Sequence, residues 1–432
     1  MKKLLVTCLL VNISLTGTAS SQSFNPAPVM TTPVSAEANG TGGISASIIS
    51  ENALASAANP AQLGIFSLAN YFNASTFITN TALLPGSGTG NSLHAAGVNA
   101  GVNLEKYLKT PIPVSFGLGY SRIQLTLAQF EVQWINGPQV ISTWNASQTL
   151  QNLTISLGTE YWVRFGIGYN LKWINSTLAP FYPAGEVPTG RGKAVAHDYG
   201  ILLEIPSMAI LSRLQHHDIK FGRNIFPIVD LSFAYTRRNI GDGIYYLDPS
   251  QTQPFSREAT LGLSAVFGLK SEVHGRVWTL ISFTWAREAQ DNLVSVSSTP
   301  TPLQGGDTLY TNVVSYTSGL GDIDPIDNLI FGRTNGNVEL RRGWQLQLAE
   351  FLYLRGGSFT GESGPDYSTL GFGLRLDGLV KILAAYDLVD IDRPGIYSFI
   401  VDHLDLQYDY SEYTGDSYAT GTNFQSLNLV VR

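Results

Sequence analysis

Residues 163–173 read Val163-Arg164-Phe165-Gly166-Ile167-Gly168-Tyr169-Asn170-Leu171-Lys172-Trp173. Large apolar residues hold every odd position, and small, polar or charged residues every even one. Successive side chains of a strand point to opposite faces, so a strand here has one apolar and one wet face. About 11 residues is what a tilted strand needs to cross the hydrocarbon of a bilayer. Both charges, Arg164 and Lys172, fall on the same face.

The pattern recurs. Val114 to Ser121 alternates strictly, and Ala96, Val98, Ala100, Val102 and Leu104 oppose Gly97, Asn99, Gly101 and Asn103. Leu261, Leu263, Ala265 and Phe267 oppose Gly262 and Ser264, while Leu370, Phe372, Leu374 and Leu376 oppose Gly371, Gly373 and Arg375. Less regular strands are expected at Ser67 to Ile78, Ile123 to Gln133, His197 to Ile205, Phe226 to Arg237 and Val277 to Ala286. Others are expected at Val338 to Leu348, Phe351 to Phe359, Leu379 to Leu388, Ser398 to Tyr408 and Phe424 to Val431. The count lies in the mid-teens, and outer-membrane barrels take an even number, so about 14 strands are expected.

Composition points the same way. Charged residues make up 14% of the chain, against about 25% in an ordinary soluble domain. A run of Lys2, Lys3, then Leu4 to Leu15, then Ala19-Ser20-Ser21 has the form of a cleavable export signal over residues 1–21. Its apolar part is shorter than the roughly 20 residues a membrane-spanning helix needs. Cys8, the only cysteine, would leave with it, and so would Lys2 and Lys3, taking the formal charge from -7 to -9. An acidic chain is a poor nucleic-acid binder. Only helices and closed barrels satisfy every backbone group in lipid. An exported, low-charge chain without long apolar helices is therefore expected to be an all-β, transmembrane antiparallel β-barrel of a bacterial outer membrane. A secreted soluble β-domain is the competing reading. Trp134, Trp144, Trp162, Trp173, Trp278, Trp285 and Trp344 fall near expected strand ends, where interfacial belts form. The facing predicts that Arg at Ile167 is costly and Arg at Asn170 tolerated.

Ahead of the strands, Asn39 to Phe66 is rich in Ala, Ser and Gly and does not alternate. Asn59-Pro60-Ala61 would stop any helix begun over Ser50 to Ala58. Residues 22–66 are expected to be an N-terminal extension and plug in the lumen, with a surface turn as the competing reading; residues 67–432 are the barrel. The long polar loops are Thr177 to Ala196 and Asp291 to Asn335, and long loops of such barrels face outward. Asp322, Asp324 and Asp327 offer oxygen ligands of the type calcium takes, without the register of a calcium-binding loop. A solvated acidic turn is the favoured reading, so no metal or cofactor is expected. His216-His217 reads as a turn. No catalytic motif is present, and the chain is not expected to be an enzyme.

The segment Asn52 to Leu63 resembles the plug signature of the FadL-like outer-membrane barrels, an Asn-Pro-Ala turn after an Ala-rich stretch. Tyr353-Leu354-Arg355-Gly356-Gly357, Tyr367 to Leu374 and Ala384-Ala385-Tyr386 are similar to the closing hairpins of its PorV-like branch. Arg238-Asn239-Ile240-Gly241, then Pro254 and Leu261 to Ser264, resembles a strand-loop-strand unit of both branches. The chain departs from the pattern at Gly42 to Ser47 and in ending on Val430-Val431-Arg432. The resemblance implies a 14-stranded plugged barrel that passes hydrophobic small molecules, with Phe181, Tyr182, Ile323 and Ile326 as a capture groove. Its PorV-like side implies a secretion accessory that binds exported proteins. A structural barrel is the third reading.

Overall fold

The computed structural model describes residues 26–83, 85, 91–109, 111–133, 140–178, 190–221, 224–246, 249, 252–273, 275–302, 308–334, 337–361, 366–415 and 419–432. The expected export signal, Phe181, Tyr182 and Trp134 lie outside them. From the N-terminal side the strands are β1 (Tyr71–Phe77), β2 (Thr81–Ala82), β3 (Ser92–Asn103), β4 (Val114–Gln133), β5 (Val140–Glu160) and β6 (Arg164–Thr177). Next come β7 (Arg191–Pro206), β8 (Ile225–Ile240), β9 (Glu258–Val273), β10 (Arg276–Asn292), β11 (Val294–Pro302) and β12 (Thr308–Tyr316). The chain closes with β13 (Val338–Leu348), β14 (Leu352–Thr360), β15 (Tyr367–Arg375), β16 (Leu404–Thr414) and β17 (Asn423–Val431).

Fourteen of these form a closed antiparallel barrel, because β1 pairs with both β17 and β3. The short β2 pairs only with the end of β3, and β11 and β12 form a separate hairpin. Closure leaves no unpaired edge. The facing follows the alternation: Ile167 is 49% exposed on the outer wall, whereas Gly168, Asn170 and Lys172 are buried inside. Around the wall, Leu118, Phe233, Phe283, Leu370 and Leu427 also present large apolar side chains outward.

The two ends differ. One carries the chain terminus after β17 and, among the described residues, tight turns at residues 161–163 and 349–351. It also carries short helices: α4 (Glu105–Leu108), α5 (Ser207–Gln215), α6 (Leu376–Ala385) and α7 (Ile396–His403). The other end carries the long loops.

Several expected boundaries change. Val114 to Ser121 and Ile123 to Gln133 are one strand, β4. The unforeseen β5 carries polar residues on both faces, Gln151 outside and Asn152 and Thr154 inside, which hides its alternation. The expected strand Leu379 to Leu388, with Ala384-Ala385-Tyr386, is instead the helix α6 and its cap. Leu376, Leu379, Val380, Leu383 and Ala384 recur at helical spacing, and Val380 and Ala384 bury against Trp278. Ser398 to His403 is helical too, so β16 begins at Leu404. Ser67–Ala69 is a 3-10 turn, and β1 starts only at Tyr71. The expected loop over Thr177 to Ala196 is shorter, because β7 begins at Arg191. The loop over Asp291 to Asn335 holds the β11–β12 hairpin and a π-helical turn at Pro325–Phe331.

Residues 26–70 lie inside the barrel. They form the short helices α1 (Ala36–Gly40), α2 (Ala55–Ala58) and α3 (Ala61–Phe66), joined by irregular backbone. The segment starts near the long-loop end, where the Pro26 carbonyl accepts from Gln148 Nε2 at 3.0 Å and Tyr246 Oη at 3.1 Å. It leaves at the opposite end into β1.

Candidate functional site

Toward the long loops the lumen holds an apolar cluster beside charged side chains, and toward the tight turns it is polar. At the long-loop side Val29 and Met30 pack among inward side chains including Phe77, Leu125, Leu150 and Phe424. Below them the plug crosses the barrel, and its small residues let backbone approach backbone. A Cβ on Gly64 of α3 would lie 2.3 Å from the Leu157 carbonyl oxygen, and one on Gly158 would lie 2.1 Å from the Gly64 carbonyl oxygen. α2 ends at Asn59, whose side chain accepts from Ala61 N at 3.0 Å and donates to the Ala46 carbonyl at 2.9 Å. Pro60 then caps α3. Asn59, Pro60 and Ala61 are thus buried in the plug beside β6 and β7.

Two groups of wall charges hold the plug. Glu288, fully buried on β10, accepts from successive amides of Ser45 (3.1 Å), Ala46 (2.6 Å) and Ser47 (2.8 Å), and from Ser47 Oγ at 3.2 Å. Charge-assisted bonds of this kind are stronger than neutral ones. Across the lumen, buried Arg355 on β14 binds Asp409 Oδ1 at 2.6 Å, Gln345 Oε1 at 2.7 Å and Glu37 Oε1 of α1 at 3.3 Å. Arg375 adds a second guanidinium 3.1 Å from Asp409. The other Glu37 oxygen accepts from Ser50 Oγ. A third buried pair, Lys172 with Asp198 at 2.7 Å, sits where β8 bulges against β7, and Asn239 adopts φ +61° there.

Two cavities flank the plug. The one nearer the long loops has a volume of 280 Å³ and a mixed lining, in which Val29, Met30, Leu150 and Phe359 stand among Lys172, Arg238, Glu258 and Arg341. The one nearer the tight turns has 690 Å³ and a charged lining that includes Arg164, Glu204, Asp230 and Lys381. Glu37, Ile48, Ser50 and Gln345 border both, so the two cavities meet at this layer of side chains.

The sequence-derived groove residues lie elsewhere. Ile323 is buried outside the wall against Leu329 and Val338, and Ile326 is 62% exposed on the π-helical turn. Neither borders a lumenal cavity. Among the described residues no cluster of metal-ligating side chains occurs. Asp324 caps the turn through Ile326 N and Asp327 N, Asp322 accepts from Asn337 Nδ2 at 2.7 Å, and Asp327 lies 3.7 Å from Arg333. Sequence reasoning missed Glu37, Glu288, Arg355 and Asp409. For the three on strands, Glu288, Arg355 and Asp409, the one signal was a charge on the inward face; Glu37, on α1, had none.

No protein-family model and no curated protein matches the sequence. Among solved structures the chain is similar to the Pseudomonas putida toluene transporter TodX, at 14% identity and TM-score 0.38, over 95% of this chain and 98% of that one. It is also similar to the Ralstonia pickettii toluene transporter TbuX, at 10% identity and TM-score 0.39, over 95% and 97%. A Pseudomonas aeruginosa FadL homologue is similar at 10% identity and TM-score 0.33, over 86% and 91%.

Proposed function

We propose that this barrel sits in an outer membrane and passes small hydrophobic molecules through its lumen, with the N-terminal segment as the plug that gates them. The apolar outer wall supports the membrane setting, since soluble proteins rarely expose so much contiguous apolar surface. The observation that carries the passage reading is the pair of lumenal cavities that meet at Glu37, Ile48, Ser50 and Gln345. The upper cavity is close to the size of small-molecule sites, about 300 Å³ and above. Its apolar side chains suit a hydrophobic body and its charged ones a small polar end. Sliding α1 away from Arg355 joins the cavities into one path.

Native mass spectrometry of the full chain in mild detergent tests this. Bound small hydrophobic molecules, lost on Ile48→Trp, support it. Stoichiometric recovery of an exported protein instead would replace it with protein binding.

A further inference from the structure

Going up the outer wall of β10 toward the long loops, the outward side chains are Ile281, Phe283, Trp285 and then Arg287. On the neighbouring β13 they are Leu346, Trp344 and then Arg342. The register sets Trp285 opposite Trp344 and Arg287 opposite Arg342. An aromatic pair is therefore followed by an arginine pair. This is the order of an acyl-chain boundary and the head groups above it.

Like charges directly opposite on adjacent strands repel. No carboxylate among the described residues makes an ion pair with either guanidinium. What holds them is the loop folded down over the wall above: Arg287 Nη1 donates to the Leu329 carbonyl at 3.1 Å and the Ile330 carbonyl at 2.6 Å, and Arg342 Nη2 to the Gly332 carbonyl. Carbonyls orient the arginines without neutralising them. Gly332 takes φ +67°, and a Cβ there would lie 2.9 Å from Arg287 Nη1, so the loop closes on the guanidinium as only glycine allows. Arg342 is exposed, and Arg333, next in the chain to Gly332, is 73% exposed in its side chain and 3.7 Å from the exposed Asp327. Ile330 and Phe331, 56% and 59% exposed, flank the cluster on the same loop.

We infer that Arg287, Arg342 and Arg333 form a binding site for a phosphorylated lipid head group of the outer leaflet. Guanidiniums match phosphate geometry, and the lipid's acyl chains would lie along Trp285, Trp344 and Phe331. The charge on Arg287 and Arg342, which no carboxylate among the described residues pairs, the continuity with the apolar wall and the apolar loop residues all select a lipid over a soluble anion. This inference rests on the membrane setting proposed above.

The test compares the full-length protein in phosphatidylcholine vesicles with and without lipid A, reading retained lipid A after detergent extraction and washing. Wild type should retain lipid A, and Arg342→Gln and Arg333→Gln should each lower its affinity about fivefold, the factor for one basic residue at a charged surface. Arg342→Lys should keep most of it. Heat-modifiable electrophoretic mobility identifies folded barrels, and only those are compared. Equal retention by folded wild type and both glutamine variants overturns the site, and so does loss of the retained lipid A from wild type to an equal concentration of inorganic phosphate. Failure of wild type to enter neutral vesicles counts against the membrane setting; entry without preference for lipid A counts against the site alone.

Discussion

The Glu37 carboxylate of the plug lies 3.3 Å from the Arg355 guanidinium of the barrel wall, which also bonds Gln345, and Glu37 and Gln345 both border the two cavities. Glu37 reaches this position because α1 is short and capped by Ser35, whose side chain accepts from Ala38 N. Arg355 is fixed by Asp409 and Gln345. The wall side of the contact is the better anchored, so in the proposed gating the plug side is the part expected to move.

Arg355→Ala leaves Asp409 and Glu37 short of a buried cation. Removing one partner of a buried pair costs about 3 to 5 kcal/mol, and Arg375, still 3.1 Å from Asp409, places the expected loss at the lower end. Thermal unfolding in detergent measures it, and no change would remove Arg355 from the frame.

Glu288→Gln keeps the shape of the side chain but removes the charge that gathers the Ser45, Ala46 and Ser47 amides. Hydrogen bonds to charged groups contribute about 1.5 to 3 kcal/mol. The expected result is faster proteolysis of the plug within an intact barrel.

Gly64→Ala puts a methyl group into the Leu157 carbonyl. Overpacking of this kind costs about 1 to 3 kcal/mol. The substitution should loosen α3 from β5, raising amide exchange over Ala61–Phe66 ahead of the wall.

Ile167→Arg places a charge on the outer wall and should cost about 2 to 4 kcal/mol near mid-membrane. The matching expectation that Arg at Asn170 is tolerated is corrected by the structure. Asn170 is fully buried, donating to the Ser56 carbonyl at 3.1 Å and to Asp198 at 3.2 Å. Val266→Arg is the proper inward comparison, because Val266 borders the larger cavity opposite Asp230. Refolding yields into lipid vesicles should fall for Ile167→Arg and hold for Val266→Arg.

At the tight-turn end, Arg276 donates to both oxygens of Asp402 at 2.9 Å, holding its carboxyl below the usual aspartate range. A carboxyl with a depressed folded value supports the fold above its unfolded value, about 3.9, and that support is lost as pH falls through the folded one. Amide exchange over α7 should therefore rise on acidification below that range, and Asp402→Asn should abolish the pH dependence.

Strand periodicity was legible wherever one face was consistently small and the other large, as at Arg164 to Lys172, and it carried the barrel and the facing. It failed at β5, where Gln and Thr occupy both faces, and at α6, where a run rich in apolar residues concealed a helical period. The small residues of Asn39 to Phe66 are those that contact the wall, but the partners that hold the plug were hidden. Glu288 and Arg355 read as isolated charges until closure brings β10 and β14 around the same segment. The lipid-facing Trp and Arg pairs are invisible in sequence because they depend on the β10–β13 register across a 45-residue connection, 293–337.

The most direct test of passage through the lumen is uptake of labelled monoaromatic and aliphatic molecules by cells with an intact lipopolysaccharide outer leaflet, with and without the protein at matched surface levels. Wild type should speed uptake of at least one class, Glu37→Gln should speed it further, and Ile48→Trp, which fills the layer between the cavities, should return it to the rate of cells lacking the protein. Uptake that is the same in all four would contradict the account.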